Sequence, residues 1–446
     1  MPTFITAIEI GSSKIIGAVG RVDDDRTLNI LAIEEQPLQP GSVRYGCVVN
    51  VEEVSSKLNI VKRLLENNDR VSPMKITGAY VALGGRSLAS HPAEASHTFQ
   101  QETEITEQIV AQMQAQVRHD KSSNKEVLTS VPVSYSVDGK RITVPVGTLG
   151  MQIRARYNLI VCDDKSKRNI KTAFDKSGLP IVALIARILA VDSMILTKDQ
   201  RGLGSVIVDF GAETTTVAVY KDNSLRYLST IPMGSRLITS DLATLLNISQ
   251  ERAEELKMSH VNLAVNENDS SPLDKTLDNI DYKLINSIVR ARASEIIANI
   301  NYQIGQSHFK PEELTEGIVL IGRGARLSGF REMLQRQTNL KIALNPTAGN
   351  INIMSGMSVN AAEALDAIAV LAAAAKSNNL VPCLERPVAV APQPEPEQKT
   401  EPEQKPKQKQ KPGKESGKDG KGFFTNIFSN VINMIGNDED FDEEES

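Results

Sequence analysis

Apolar positions along this chain follow two rhythms. Over residues 1 to about 385, short β-branched runs alternate with segments whose apolar residues recur every three or four positions, the pattern of an α/β architecture. Strands are expected over 6–10, 205–210, 215–220 and 318–321, and helices over 282–305 and 360–376. In the first helix Ile285, Ile288, Val289, Ile296 and Ile300 share one broad face. The longest apolar stretch, 179–191, is interrupted by Pro180 and Arg187 and is too short to span a bilayer. No segment is expected to cross a membrane.

The rhythm stops after Val381. Eight prolines fall between Pro382 and Pro412 and eight lysines between Lys399 and Lys421, a composition that cannot bury enough apolar area to offset chain entropy. Residues 386–421 are expected to form a disordered Pro/Lys/Gln/Glu-rich linker. An apolar pattern then resumes: Phe423, Phe424, Ile427, Phe428, Val431, Ile432 and Ile435 recur at helical steps and gather on one stripe. Residues 422–436 therefore read as an amphipathic helix lying in the plane of an anionic membrane. A helix docked on a protein groove would show the same stripe; the long linker favours the membrane. An acidic tail, 437–446, holds seven acids between Asp438 and Glu445.

At 446 residues the chain exceeds one ordinary core, so two or more domains are expected. Hydrophobic residues at 40% and charged residues at 24% are globular values, while 4% aromatic, no Trp and a net charge of −5 argue against nucleic acid as a partner. Cys47, Cys162 and Cys383 lie far apart without a C-x-x-C pair, which fits a reducing cytoplasm. The N-terminus lacks the basic-then-apolar order of a secretory signal. His91, His97, His119, His260 and His308 show no metal-ligand spacing.

The chemistry lies in a repeat. Ile8-Glu9-Ile10-Gly11-Ser12-Ser13 recurs 200 positions later as Val208-Asp209-Phe210-Gly211-Ala212-Glu213, and Ala18-Val19 recurs as Ala218-Val219. In each copy an apolar strand bearing one acid turns through Gly and small residues into a second strand. Such a turn aims backbone N–H groups and hydroxyls at an anion, with the acid placed to hold a metal-bound water. Two such hairpins facing each other can clamp a polyphosphate; singly, each is ordinary turn chemistry. The third element, Ile318 to Ala325, is an apolar strand ending in glycines before a helix, where a flat base can approach the backbone.

These pieces, in this order, resemble the phosphate 1, phosphate 2 and adenosine motifs of the actin, Hsp70 and sugar-kinase superfamily. The match is closest to bacterial cell-division actin homologues, the FtsA family, through AIEIGSSK at 7–14, VIVDFGAETTTVAVY at 206–220, IPMGSRLITSDLA at 231–243, AEELK at 253–257 and VLIGRGARLSGF at 319–330. The resemblance implies an actin-like two-domain ATPase fold. Domain 1A would comprise 1–82 and 162–200, with an FtsA-type 1C subdomain at 83–161; domain 2 would comprise 201–385, with 2B inserted at about 237–303. It further implies ATP and Mg²⁺ as cofactors. Glu9 and Asp209 would then touch Mg²⁺ through water, and Gly11, Ser12, Ser13, Gly211, Ala212, Thr214 and Thr215 would contact phosphate. Lys14 would add positive charge, although a solvated hairpin lysine has the same pattern. Gly234 and Ser235 stand where a further glycine pair would cover the phosphates. Glu254 and Lys257 would lie near ribose and base, or form a plain i,i+3 ion pair. Gly322, Arg323, Gly324 and Ala325 would meet the adenosine. The implied function is a cell-division protein that assembles into filaments and tethers FtsZ, bound by its C-terminal peptide on 2B, to the cytoplasmic face of the inner membrane at the division site. Recruitment of later divisome proteins would follow.

Departures from the motifs bear on activity. Ala212 and Glu213 replace glycines of the phosphate 2 motif, Arg323 interrupts the adenosine pair, and Ser235 replaces a glycine. Glu213 within roughly 6 Å of a phosphate charge, at an effective dielectric of about 20, would be repelled by about 3 kcal/mol. At most slow ATP hydrolysis is expected. A sugar or acid kinase on the same fold would need a catalytic Asp that no motif nominates; a pilus-assembly actin homologue would not usually carry the amphipathic tail.

Overall fold

A computed structural model describes residues 2–118, 125–264, 281–343 and 351–386. The linker beyond Arg386, the apolar segment with Phe423 to Ile435 and the acidic tail lie outside the described residues.

The repeat in the sequence is a repeat in the backbone. In the first lobe, Thr3–Ile10 pairs antiparallel with Lys14–Val22 and parallel with Ala79–Leu83; in the second, Ser205–Phe210 pairs antiparallel with Thr215–Lys221 and parallel with Gly317–Ile321. The register is carried over with the offset: Glu9 opposes Ile16, and Asp209 opposes Thr216. Leu28–Pro37 and Ile181–Ala186 complete the first five strands, with Ile351–Ile353 added at one edge; Ser224–Ile231 and Ile342–Ala343 complete the second sheet. This is the mixed α/β, actin-like fold expected from the sequence.

Strand alternation decides where the acids point. Val206, Val208 and Phe210 enter a core with helices Ser235–Leu245, Gln250–His260 and Tyr282–Gln306, so Ile207 and Asp209 face the other way. That face meets the first lobe. Helix Leu365–Lys376 is buried almost all round, from Ala367 to Ala375, as an apolar helix between packed layers must be. With helix Arg187–Ile195 it joins Ile207, Ala218, Val319 and Ile321 to the first lobe's core.

The long helix begins at Tyr282, capped by the Asp281 side chain, and buries the five apolar residues read from its period. The helix expected from 360 instead starts at Leu365. Residues 361–363 form a turn, with the Ala362 N–H donating to the Asn360 side chain at 2.9 Å. Asn favours such side-chain turns over helix interiors, which places the helix start after the turn.

Between the first lobe's strands lies a four-stranded sheet, ordered Lys140–Ile142, Glu126–Val137, Leu149–Cys162, Ala89–Glu104, with helix Glu107–Arg118 on a small core of its own. It is inserted in the first lobe but bonds to the second. Asn158 donates to the Leu225 carbonyl at 2.8 Å, Ser224 to the Pro132 carbonyl at 2.6 Å, and the Leu228 N–H to Ser90 Oγ at 2.8 Å. No helix among the described residues is long and apolar enough to cross a membrane.

Candidate functional site

The two hairpin turns close in the same way. The Gly11 N–H donates to the Lys14 carbonyl and the Gly211 N–H to the Thr214 carbonyl, each at 2.9 Å. Both turns face one cleft of about 350 Å³, within reach of ordinary ligand pockets. Glu9, Gly11, Ser12, Ser13 and Lys14 line it from the first lobe. Asp209, Gly211, Ala212, Thr214, Gly322, Arg323 and Ala325 line it from the second.

Other candidates lie off the lining and have structural partners. Thr215 is fully buried and donates to the Met233 carbonyl at 2.7 Å. Gly234 lets the chain pass under the second turn, since a Cβ there would stand 2.4 Å from the Ala212 carbonyl oxygen. Ser235 and Arg236 then donate their backbone N–H groups to the carbonyls of Gly211 and Ala212, at 3.0 and 2.8 Å. The first N–H groups of that helix are thus used on the turn itself. A Cβ on Gly324 would lie 2.7 Å from the Phe210 ring, so this glycine serves strand-to-turn packing. Gly322, which does line the cleft, has φ +88° and a similar constraint against the Phe210 carbonyl. Glu254 and Lys257 form the i,i+3 pair at 2.7 Å, and Thr239 donates to Glu254 while accepting from Lys257. This knot ties two helices together.

Several lining residues carried no motif. Arg187, the first residue of its helix, donates to Asp209 and, at 3.1 Å, to Asp366. Its interruption of the apolar run 179–191 was the available signal. Asp366 stands in the first turn of the Ala-rich helix. Glu363 collects Lys14 at 3.0 Å, Arg323 at 3.1 Å and Arg326 at 3.5 Å. Lys14 also bonds Glu35, so its charge is held by carboxylates. Gly46, Gly84 and Gly85 supply another part of the lining.

The acids differ in basicity. Burial pushes the Glu9 carboxyl up to about 8, with Asp366 adding to the rise and Arg187 and Arg323 opposing it. Asp209 is also raised by burial, opposed chiefly by its bond to Arg187. The hydrogen bond from Lys14 lowers Glu363. Glu9, Asp209 and Asp366 in one buried cleft hold more negative charge than Arg187 offsets. Among the described residues no group of three or more His, Cys, Asp or Glu is placed to hold a metal ion directly; a divalent cation here would meet these carboxylates through its water shell. Glu213 is not loose in the cleft: Arg236 and the Tyr45 N–H hold it.

A family model described as "Cell division protein FtsA" matches residues 206–386, and one described as "SHS2 domain inserted in FTSA" matches 85–161. The chain is 30% identical over 347 residues to the cell division protein FtsA of Porphyromonas gingivalis, covering 75% of this chain and 71% of that one. It is 26% identical over 355 residues to the same-named protein of Escherichia coli, covering 76% and 83%. Among solved structures, a PilM-PilN type IV pilus biogenesis complex chain is similar in fold, with a TM-score of 0.60 at 15% identity over 84% of this chain and 98% of that one.

Proposed function

The chain belongs to the family of the cell division protein FtsA, and on that footing we propose that it is an ATP-binding actin homologue that assembles into filaments and tethers FtsZ filaments to the cytoplasmic membrane. The observation that carries the nucleotide part is the pair of equivalent turns, Gly11–Lys14 and Gly211–Thr214, facing one cleft with an acid behind each. Backbone N–H groups and the hydroxyls of Ser12, Ser13 and Thr214 would bind phosphates, and Glu9 and Asp209 would hold Mg²⁺ through water. The ion would neutralise phosphate charge. Arg323 and Ala325 would border the adenosine. The limits of 1C at 83–161 and 2B at about 237–303 belong to the same proposal; the end of domain 2 at 385 does not, because Ile351–Ile353 pairs with Leu28–Pro37 of the first sheet and helix Leu365–Lys376 lies in the first lobe's core.

The membrane part rests on the stripe of Phe423, Phe424, Ile427, Phe428, Val431, Ile432 and Ile435. Each large apolar side chain contributes roughly 1.5–3 kcal/mol when fully buried, so one partly inserted segment anchors modestly and filament formation strengthens retention by multivalency. Peripheral attachment at the cytoplasmic face of the division site, docking of the FtsZ C-terminal peptide on 2B and recruitment of later divisome proteins follow from this reading. Co-sedimentation with vesicles containing anionic lipid, with FtsZ present or absent, tests it. FtsZ should pellet only with the full chain and ATP; pelleting that is indifferent to Phe424→Asp with Phe428→Asp would refute the tether.

A further inference from the structure

Glu213 occupies a position where the first hairpin has Ser13. Its residue is only 6% exposed, and both carboxylate oxygens are engaged. Oε1 accepts from the Arg236 guanidinium at 2.7 Å, within its own lobe. Oε2 accepts the Tyr45 backbone N–H at 2.6 Å, across the cleft, with Arg44 Nε 3.8 Å from Oε1. The receiving loop is firmly seated: the Tyr45 carbonyl accepts the Arg86 N–H at 2.9 Å, and a Cβ on Gly46 would stand 2.4 Å from Gly85 Cα. On the other side, the helix start bonded to Gly211 and Ala212 fixes the turn that carries Glu213.

We propose that Glu213 is an interdomain latch, a buried carboxylate that holds the lobes closed over the turns and so limits entry to the cleft. A buried charge is tolerated only with its partners in place, and here the Tyr45 N–H and Arg44 belong to the opposite lobe. Opening the cleft removes both and leaves Arg236 alone. Arg187–Asp209 and Arg323–Glu363 also bridge the lobes, at the strand ends. Loss of Glu213 should therefore widen the cleft at the turns without separating the lobes. The latch itself stands on contacts between protein groups; its effect on ligand entry rests on the nucleotide reading above.

The test uses the full chain with Cys47→Ser and spin labels at Ser56→Cys and Thr244→Cys, both exposed helical positions in opposite lobes. Distances are measured by pulsed electron resonance without nucleotide. Glu213→Ser, which restores the residue of the first hairpin, should lengthen and broaden the distance distribution. Arg236→Met should do the same, and the double variant should move no further than the larger single change. Unchanged distributions in both folded single variants would overturn the latch. In stopped flow with a fluorescent ATP analogue, Glu213→Ser should speed association about tenfold, since a mostly closed state suppresses apparent binding in proportion to its population. Wider distances with no nucleotide binding in any variant would refute the nucleotide reading and leave the latch supported.

Discussion

In the second hairpin the strand acid, Asp209, is bonded to Arg187, and the turn acid, Glu213, is bonded to Arg236 and the Tyr45 N–H. In the first hairpin the equivalent strand acid, Glu9, shares Arg187 with two other carboxylates and is pushed up to about 8 by burial. The backbones match residue for residue in register and burial raises both carboxyls, yet Asp209 is bonded to Arg187, which opposes its rise, while Glu9 is pushed up to about 8. A duplicated turn therefore fixes where an anion can sit, while partners from distant elements decide what each copy costs the fold.

The largest difference is expected on removing the acids. Asp209→Ala leaves the buried Arg187 hydrogen-bonded to Asp366 and near Glu9, and should destabilise by about 3 kcal/mol, the lower end of the range for breaking a buried pair, because Arg187 keeps a partner. Glu9→Gln removes a carboxylate that resists ionisation and should be neutral or stabilising at pH 8. Urea unfolding of both variants without nucleotide decides this; equal losses would erase the distinction between the hairpins.

A pH series sharpens it. The folded carboxyl of Glu9 is raised from 4.5 to about 8, so its contribution is fully present below pH 4.5 and is lost as pH rises through about 8. At about 1.4 kcal/mol per pH unit the rise would approach 5 kcal/mol for an isolated group; coupling to Asp209, whose carboxyl burial also raises, spreads the loss over a wider pH range and makes that figure an upper bound. Glu9→Gln should flatten that part of the profile. Mg²⁺ favours the ionised carboxyl, so binding of Mg²⁺-ATP near pH 7 should release a proton, measurable by calorimetry in buffers of different ionisation enthalpy. A pH-independent stability in the unsubstituted protein would remove the asymmetry.

Much of this arrangement was legible because it is local. The strand acid, the glycine and the offset of 200 lie within short segments, and period-2 and period-3.6 patterns located the hairpins and the helix at 282–306. Arg187, Glu363 and Asp366 were not legible as site residues, since each is one charge at an element boundary and acquires meaning only when distant elements pack together. The glycines illustrate a different limit. Gly234 and Gly324 have the spacing of ligand-facing residues, but their missing Cβ atoms make room for Ala212 and Phe210. Spacing identifies close approach and leaves open what approaches.

Position 14 offers a smaller contrast. Lys14 is nearly buried and joins Glu35 to Glu363, so Lys14→Met should cost about 1–2 kcal/mol, chiefly by taking the Lys14 bond from Glu35, since Glu363 keeps Arg323 and Arg326. Its counterpart Thr214 has no comparable charged bridge, and Thr214→Val should change stability by no more than about 0.5 kcal/mol. Thermal and urea unfolding of the two variants compare them directly. An equal cost would mean that the Lys14 bridge adds nothing.

The smallest expected effect comes from the glycines that open the turns. A Cβ on Gly11 would meet the Lys14 carbonyl oxygen at 3.1 Å, and one on Gly211 the Thr214 carbonyl oxygen at 3.0 Å. In each case the crowded atom is the acceptor that closes the turn, so a methyl group must displace it by a few tenths of an ångström and weaken that bond. Neither glycine has positive φ, so no left-handed strain is added. Loss of freedom in the unfolded chain returns about 0.4–1 kcal/mol, which nearly cancels the crowding. Gly11→Ala and Gly211→Ala should therefore each lie within about 1 kcal/mol of the unsubstituted protein. Gly11 has a second neighbour, Glu9 Oε1 at 3.1 Å, but that is the movable end of a side chain. Its crowding should shift the Glu9 carboxyl and leave the turn in place. The two substitutions should thus match in unfolding free energy and differ in pH profile, with only Gly11→Ala altering the loss of stability towards pH 8. Matching pH profiles would show that the two acids respond to their turns alike, and that the asymmetry arises wholly from partners outside the hairpins.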